Sequence, residues 1–231
     1  MSKAYYQLPA GRVAAIDGDC DFPALNLALT EPNGLIAIGG DLSAERLLSA
    51  YRQGIFPWFN AGDPIMWFSP NPRMVLYLAE LKISNSLKKT INSNAFETRI
   101  NTSFAAVIAA CSKTPRNNQL GTWITDEMMA AYCELHALGY AICAESWQNG
   151  QLVGGCYGIK IGRMFYGESM FHTQTNASKV AFVSLVNYLI NQQVELIDCQ
   201  MKTSLLASFG GREIERDVFM QRLTALCRSD F

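Results

Sequence analysis

The sequence predicts an α+β fold. A small N-terminal domain would cover residues 1–72, and a larger domain built on a mixed, mostly antiparallel sheet would cover 73–231. Three observations predict it. Residues 1–70 are crowded with Gly, Pro and aromatic side chains and hold one clear helical pattern. From Met74 onward, apolar runs of strand length alternate with turn signals. Near the C-terminus, two such runs, each ending in a carboxylate, flank a long helical pattern.

The N-terminal helix has Ser43 as its cap, Leu47, Leu48 and Tyr51 on one face, and Gly54 as its stop. Around it the Pro- and Gly-rich segments read as loops, and the prolines of Ser69-Pro70-Asn71-Pro72 exclude a helix interior. Met74 to Leu78 reads as a strand, Ser84 to Lys89 as a short helix, and Phe96 to Ile100 as a strand. Phe104 to Cys111 has helical spacing, as does Asp126 to Leu138, which Thr125 caps and Gly139 ends. Ala141 to Trp147, Leu152 to Ile159 and Met164 to Ser169 form a meander, turned at Asn149-Gly150 and Gly162-Arg163. A helix from Asn176 to Asn191 follows, then a strand from Val194 to Cys199. Helices near Ser204 to Phe209 and Val218 to Leu226 close the chain. Antiparallel strands, a helix, and a strand returning beside the meander resemble the general plan of a GNAT-type N-acyltransferase domain.

Composition narrows the functions. Of 231 residues, 49% are hydrophobic and 17% charged, enough for a full core. The net charge of −1 gives no global attraction to nucleic acid, so any such contact needs a local basic patch. Seven cysteines without a C-x-x-C pair, and only two histidines, argue against a zinc site or a disulfide framework; buried reduced thiols are expected. The N-terminus lacks a signal-peptide core and no run reaches membrane-spanning length, so the expectation is a cytoplasmic protein with no membrane partner. No helical stripe demands a partner, and a monomer is expected.

Glu168 and Asp198 end the two strands that flank the long helix, and Gln200 stands two residues beyond Asp198, on the same side of an unbroken strand. If the strands are neighbours, two carboxylates and a carboxamide meet in one cleft. There they could take a proton, bind a cation or orient an amine. Equally, Asp198 could cap a loop and Glu168 could pair with a surface cation. Lys179, in the helix start Asn176-Ala177-Ser178-Lys179, could hold a phosphate or be solvated. Trp58 and Trp123 lie in loops, where they could stack on a base or plug the core. His136 reads as a packed or solvated residue and His172 as a rim residue. Phe171 to Asn176 lacks the glycine-spaced loop that grips coenzyme A pyrophosphate, so no CoA and no other cofactor is expected.

These segments fall in order with a known pattern. Glu31-Pro32-Asn33-Gly34-Leu35, Gly39-Gly40-Asp41-Leu42-Ser43, Gly54-Ile55-Phe56-Pro57-Trp58-Phe59 and Ser69-Pro70-Asn71-Pro72-Arg73 come first. Gly121-Thr122-Trp123-Ile124-Thr125, Gly167-Glu168-Ser169-Met170-Phe171, Asn176-Ala177-Ser178-Lys179 and Ile197-Asp198-Cys199-Gln200 follow. With them the chain resembles the leucyl/phenylalanyl-tRNA–protein transferase family over about residues 31 to 219.

The resemblance implies transfer of Leu or Phe, with Met as a further candidate, from aminoacyl-tRNA to the α-amino group of proteins beginning with Arg or Lys. It implies that this marks them for N-degron degradation. It implies that Trp58 and Trp123 flank the tRNA 3′-terminal adenosine. Cys156, Met170, Phe182, Leu185, Leu189 and Ile197 would line the side-chain pocket, with Glu168 at its mouth and with Asp198 and Gln200 positioning amine and ester. Lys82, Lys88, Lys89, Arg46 and Arg52 are the candidate patch for the tRNA body. Leu205 stands where the family has His. The competing readings are a small-molecule N-acetyltransferase and a non-catalytic module that binds protein N-termini.

Overall fold

The computed structural model describes residues 4–18, 21–114 and 123–227. β1 (Tyr5–Leu8), β2 (Gly11–Ile16), β3 (Leu35–Gly39), β4 (Phe56–Pro57) and β5 (Met66–Phe68) form one five-stranded sheet, in the order β1-β2-β3-β5-β4. α1 (Ala44–Arg52) lies between β3 and β4. This sheet corrects the expectation of loops over the first 70 residues. Its strands are two to six residues long and bounded by Gly and Pro, so no alternation runs long enough to be read. The α1 helix is as read: the Ser43 hydroxyl accepts the Arg46 N–H, and Gly54 turns the chain at φ +71°.

The second sheet begins at β6 (Arg73–Tyr77). Then come α2 (Asn85–Asn92), β7 (Glu97–Ile100), α3 (Phe104–Ser112), α4 (Asp126–Ala137), β8 (Ala141–Gln148), β9 (Gln151–Ile161) and β10 (Met164–His172). α5 (Ala177–Asn191) crosses to β11 (Leu196–Gln200), followed by α6 (Ser204–Ser208), β12 (Arg212–Ile214) and α7 (Arg216–Cys227). The strand order is β12-β6-β11-β10-β9-β8-β7. Every pairing is antiparallel except β10 with β11, which the α5 crossover makes parallel. The mixed sheet is therefore as the sequence predicts. β12 was not predicted, and β10 runs three residues beyond the predicted end.

Period-2 alternation divides this sheet's core. Ala141, Cys143, Tyr157, Ile159, Met164, Tyr166 and Leu196 face α3, α4 and the N-terminal sheet in one apolar cluster. Ile142, Ala144, Cys156, Phe165 and Ile197 face α5 in the other. The first cluster also takes in Val13, Leu35, Leu47, Trp67 and Phe219, so the two sheets share one core. α5 sits close to β9 because Gly154 has no side chain: a Cβ there would lie 2.6 Å from the Ala177 carbonyl carbon. Gly154→Ala is expected to destabilise by about 1–3 kcal/mol, because overpacking must push the helix off the sheet. The measurement is a lower urea midpoint at unchanged slope.

Candidate active site

β10 and β11 pair only from Met164 opposite Leu196 to Tyr166 opposite Asp198. Beyond that point the strands part. Each carries a bulge just there, between Gly167 and Ser169 on β10 and between Asp198 and Gln200 on β11. A crevice at the carboxyl ends of parallel strands is where an α/β sheet presents a ligand site. A cavity of about 480 Å³ opens in this one. Its walls are Phe56, Trp58, Trp123, Cys156, Phe165, Met170, Phe182, Leu185, Ile197, Leu205 and Leu206. Its polar groups include Glu168 and Gln200.

Three elements hold the Glu168 carboxylate of β10. Tyr51 of α1 donates to Oε1 at 2.7 Å, Tyr132 of α4 to Oε2 at 3.1 Å, and Gln200 Nε2 of β11 to Oε1 at 3.0 Å. The two tyrosine oxygens also lie within hydrogen-bonding distance of each other, a bond that either hydroxyl can donate only in place of its bond to Glu168. Burial pushes Glu168 up to about 7; the tyrosine hydrogen bonds pull it down, and the nearby Asp198 charge pushes it further up. Burial, then the Glu168 charge, holds both tyrosines far above their ordinary range, so they stay protonated as donors. The cavity thus ends on a carboxyl group that gains and loses a proton near neutrality, the property a proton-handling group needs at physiological pH.

That shift has a sign for stability. The Glu168 carboxyl rises from 4.5 to about 7, so the folded chain holds the proton more tightly. Its stabilising effect is fully present below about pH 4.5 and is lost as pH rises through 7. That rise corresponds to a free energy on the order of 3 kcal/mol. Between pH 4.5 and 8, wild type is expected to lose more stability than Glu168→Gln. Equal losses in urea unfolding at the two pH values would refute the assignment.

Asp198 is placed differently. It is 0% exposed and does not line the cavity. Arg73, also 0% exposed, clasps it: Nε donates to Oδ1 at 2.8 Å and Nη2 to Oδ2 at 2.6 Å. Its Oδ1 also accepts the Gln200 backbone N–H at 2.9 Å. The expectation that Asp198 and Gln200 project to one side fails at the bulge. Gln200 takes φ +62°, which turns its carboxamide toward Glu168 and leaves Asp198 behind it.

Of the six residues expected in the side-chain pocket, Cys156, Met170, Phe182, Leu185 and Ile197 line the cavity; Leu189 does not and belongs to the core beneath α5. Trp58 and Trp123 stand among the lining residues. Gly121 and Thr122 of the Trp123 motif lie outside the described residues, as does Cys20. Burial raises the thiols of Cys133, Cys143, Cys156 and Cys199. Arg46 must leave the basic patch. It is 1% exposed and turned inward, donating to the Asp17 carbonyl at 3.0 Å and bridging Asp41 at 3.3 Å. Lys82, Lys88, Lys89 and Arg52 are exposed and Lys179 is half-buried, and none of them reaches the cavity. His136 is packed, stacking on Phe104 and bonding the Ala141 carbonyl. His172 is exposed outside the cavity, near Ser178. Among the described residues no three His, Cys, Asp or Glu gather to hold a metal, and no helix is long and apolar enough to cross a membrane.

Sequence reasoning missed the roles of Tyr51, Tyr132 and Arg73. A signal existed for Tyr51 and for Arg73. Tyr51 sits on the apolar face of α1, where a buried hydroxyl needs a partner. Arg73 opens an apolar strand, where a buried cation needs an anion.

The fold is of the mixed α/β class, and its cavity has apolar walls and ends on the Glu168 carboxyl group. Residues 75–224 match the leucyl/phenylalanyl-tRNA protein transferase family, and residues 40–71 match that family's N-terminal domain. A leucyl/phenylalanyl-tRNA–protein transferase of Nitrosospira multiformis is 54% identical over 211 residues, covering 91% of this chain and 90% of its own. That of Chromobacterium violaceum is 55% identical over 202 residues, covering 87% and 86%. Among solved structures, FemX shares the fold at 9% identity and a TM-score of 0.51, over 74% of this chain and 66% of its own. The chain belongs to the leucyl/phenylalanyl-tRNA protein transferase family and is an aminoacyltransferase.

Proposed function

We propose that this enzyme transfers Leu or Phe, with Met as a further side chain of similar size, from the 3′ end of aminoacyl-tRNA to proteins with N-terminal Arg or Lys. The observation that carries the reading is the apolar cavity where β10 and β11 part, ending on Glu168 and Gln200. A branched or aromatic side chain fits walls such as Phe182, Leu185 and Ile197. Trp58 and Trp123 flank the terminal adenosine, which a π-face holds without reading sequence. The exposed Lys82, Lys88, Lys89 and Arg52, with Lys179, offer phosphate contacts to the tRNA body. In this reading the fold is a small domain over 1–72 joined to a GNAT-type domain over 73–231, acting as a cytoplasmic monomer. Its product is a new N-terminus recognised for N-degron degradation.

The chemistry asks little more than alignment. The acceptor amine attacks the ester carbonyl, a C–N bond forms, the C–O bond to the ribose breaks, and the ribose oxygen takes up a proton. An ester is already activated, so holding amine and carbonyl together supplies most of the acceleration. Gln200 offers a carboxamide to the carbonyl or the amine. Glu168, poised near neutrality, meets an ammonium or takes its proton.

The test is transfer of radiolabelled leucine from charged tRNA to a peptide beginning with Arg, beside one beginning with Asp. Transfer to the Arg peptide alone is the expected result. No transfer by folded protein that still binds tRNA would overturn the reading in favour of a binding module.

A further inference from the structure

We infer that Arg73 is a positioning residue for transfer, acting through Asp198 to aim the Gln200 carboxamide into the cavity. The inference rests on the transfer reading proposed above and deepens it.

The guanidinium is committed to one task. Both of its hydrogen bonds go to Asp198, and Nη1 makes none among the described residues. Its faces are covered by the rings of Phe56, 4.9 Å away, and Phe219, 4.7 Å away. Aromatic faces hold a cation in place without competing for its donors. Three parts of the chain therefore fix Arg73: the N-terminal sheet through Phe56, its own strand β6, and α7 through Phe219.

Asp198 passes this fixation on. Its Oδ1 receives Arg73 Nε and the Gln200 backbone N–H together, at 2.8 and 2.9 Å. Gln200 stands in the left-handed region at φ +62°, a conformation a side-chain-bearing residue keeps only when its surroundings impose it. That backbone turn is what sends Nε2 to Glu168 at 3.0 Å. A carboxylate held by a fork cannot swing, whereas one held by a single-point cation can. Arg73 is thus two links behind the reacting groups, touching neither ester nor amine.

The experiment uses the full chain with Leu-tRNA and an Arg-started peptide, comparing Arg73→Lys, Gln200→Ala and the double variant. Circular dichroism and thermal unfolding confirm that each is folded. Wild type must transfer first; if it does not, the proposed function fails and Arg73 is not at issue. Given wild-type transfer, Arg73→Lys is expected to lower kcat at least about ten-fold with KM for Leu-tRNA within about two-fold, since the loss is one of alignment. On the Gln200→Ala background the same change is expected to cost less than about two-fold, because the group it aims is gone. Equal losses on both backgrounds, or a rise in KM with kcat unchanged, would overturn the inference. If Arg73→Lys does not fold, Asp198→Asn decides. Its amide nitrogen would face the Arg73 Nη2 donor where Oδ2 accepts it, which breaks the fork while Oδ1 still accepts the Gln200 N–H, so the inference expects a kcat loss of at least about ten-fold that shrinks to less than about two-fold on the Gln200→Ala background. Equal losses on the two backgrounds would overturn it.

Discussion

Asp198→Ala is expected to lower turnover by at least about a hundred-fold while changing KM for Leu-tRNA by less than about three-fold. Asp198 does not line the cavity, so its removal takes no contact from the bound aminoacyl end. It does release the Gln200 backbone, which Oδ1 holds at φ +62°, and with it the carboxamide that bonds Glu168. The same change leaves the Arg73 guanidinium at 0% exposure with no counter-charge. Stranding one partner of a buried pair costs about 3–5 kcal/mol, so the urea midpoint is expected to fall steeply. Rates should therefore be measured where the variant remains folded. Adding Arg73→Leu is expected to restore part of the stability and none of the turnover, which separates the two effects. Unchanged turnover in folded Asp198→Ala would remove the residue from the mechanism.

The strand–helix–strand unit of β10, α5 and β11 was legible because its signals are local. An apolar run, a helical period and a second apolar run are each readable within fifteen residues. The carboxylates at the strand ends stood out for the same reason, as did the apolar residues of α5 that face the sheet. What was not legible depends on residues far apart in the chain. Arg73 and Asp198 meet because β6 lies antiparallel to β11, a pairing that no periodicity announces. Tyr51 and Tyr132 reach Glu168 from helices 81 residues apart in sequence. The bulges at Glu168 and Cys199 break the period-2 rule that placed Asp198 and Gln200 side by side. Leu189 has the right spacing on α5 but lies too far along the helix to reach the cavity. Arg46 shows the limit of charge counting: a basic residue on a capped surface helix proved to be a buried tie to Asp41 and the Asp17 carbonyl. The N-terminal sheet escaped notice because its strands are short and their boundaries are Gly and Pro.

In the proposed reaction, the cavity at the parting of β10 and β11 receives the aminoacyl side chain. Leu185 tests it most directly. It is buried on α5 at the cavity wall, on an element that carries none of the polar groups around Glu168. Leu185→Trp fills part of a space of about 480 Å³ with an indole ring and leaves Glu168, Gln200 and Asp198 untouched. Because the added volume enters a cavity rather than a packed core, the stability cost should stay within about 1–3 kcal/mol. The measurement is the rate of leucine transfer from Leu-tRNA to an Arg-started peptide by this variant, with its fold verified by circular dichroism. A fall of at least about a hundred-fold is predicted, because the side chain can no longer seat and the ester cannot align. A folded Leu185→Trp protein that transfers leucine at the wild-type rate would contradict the account.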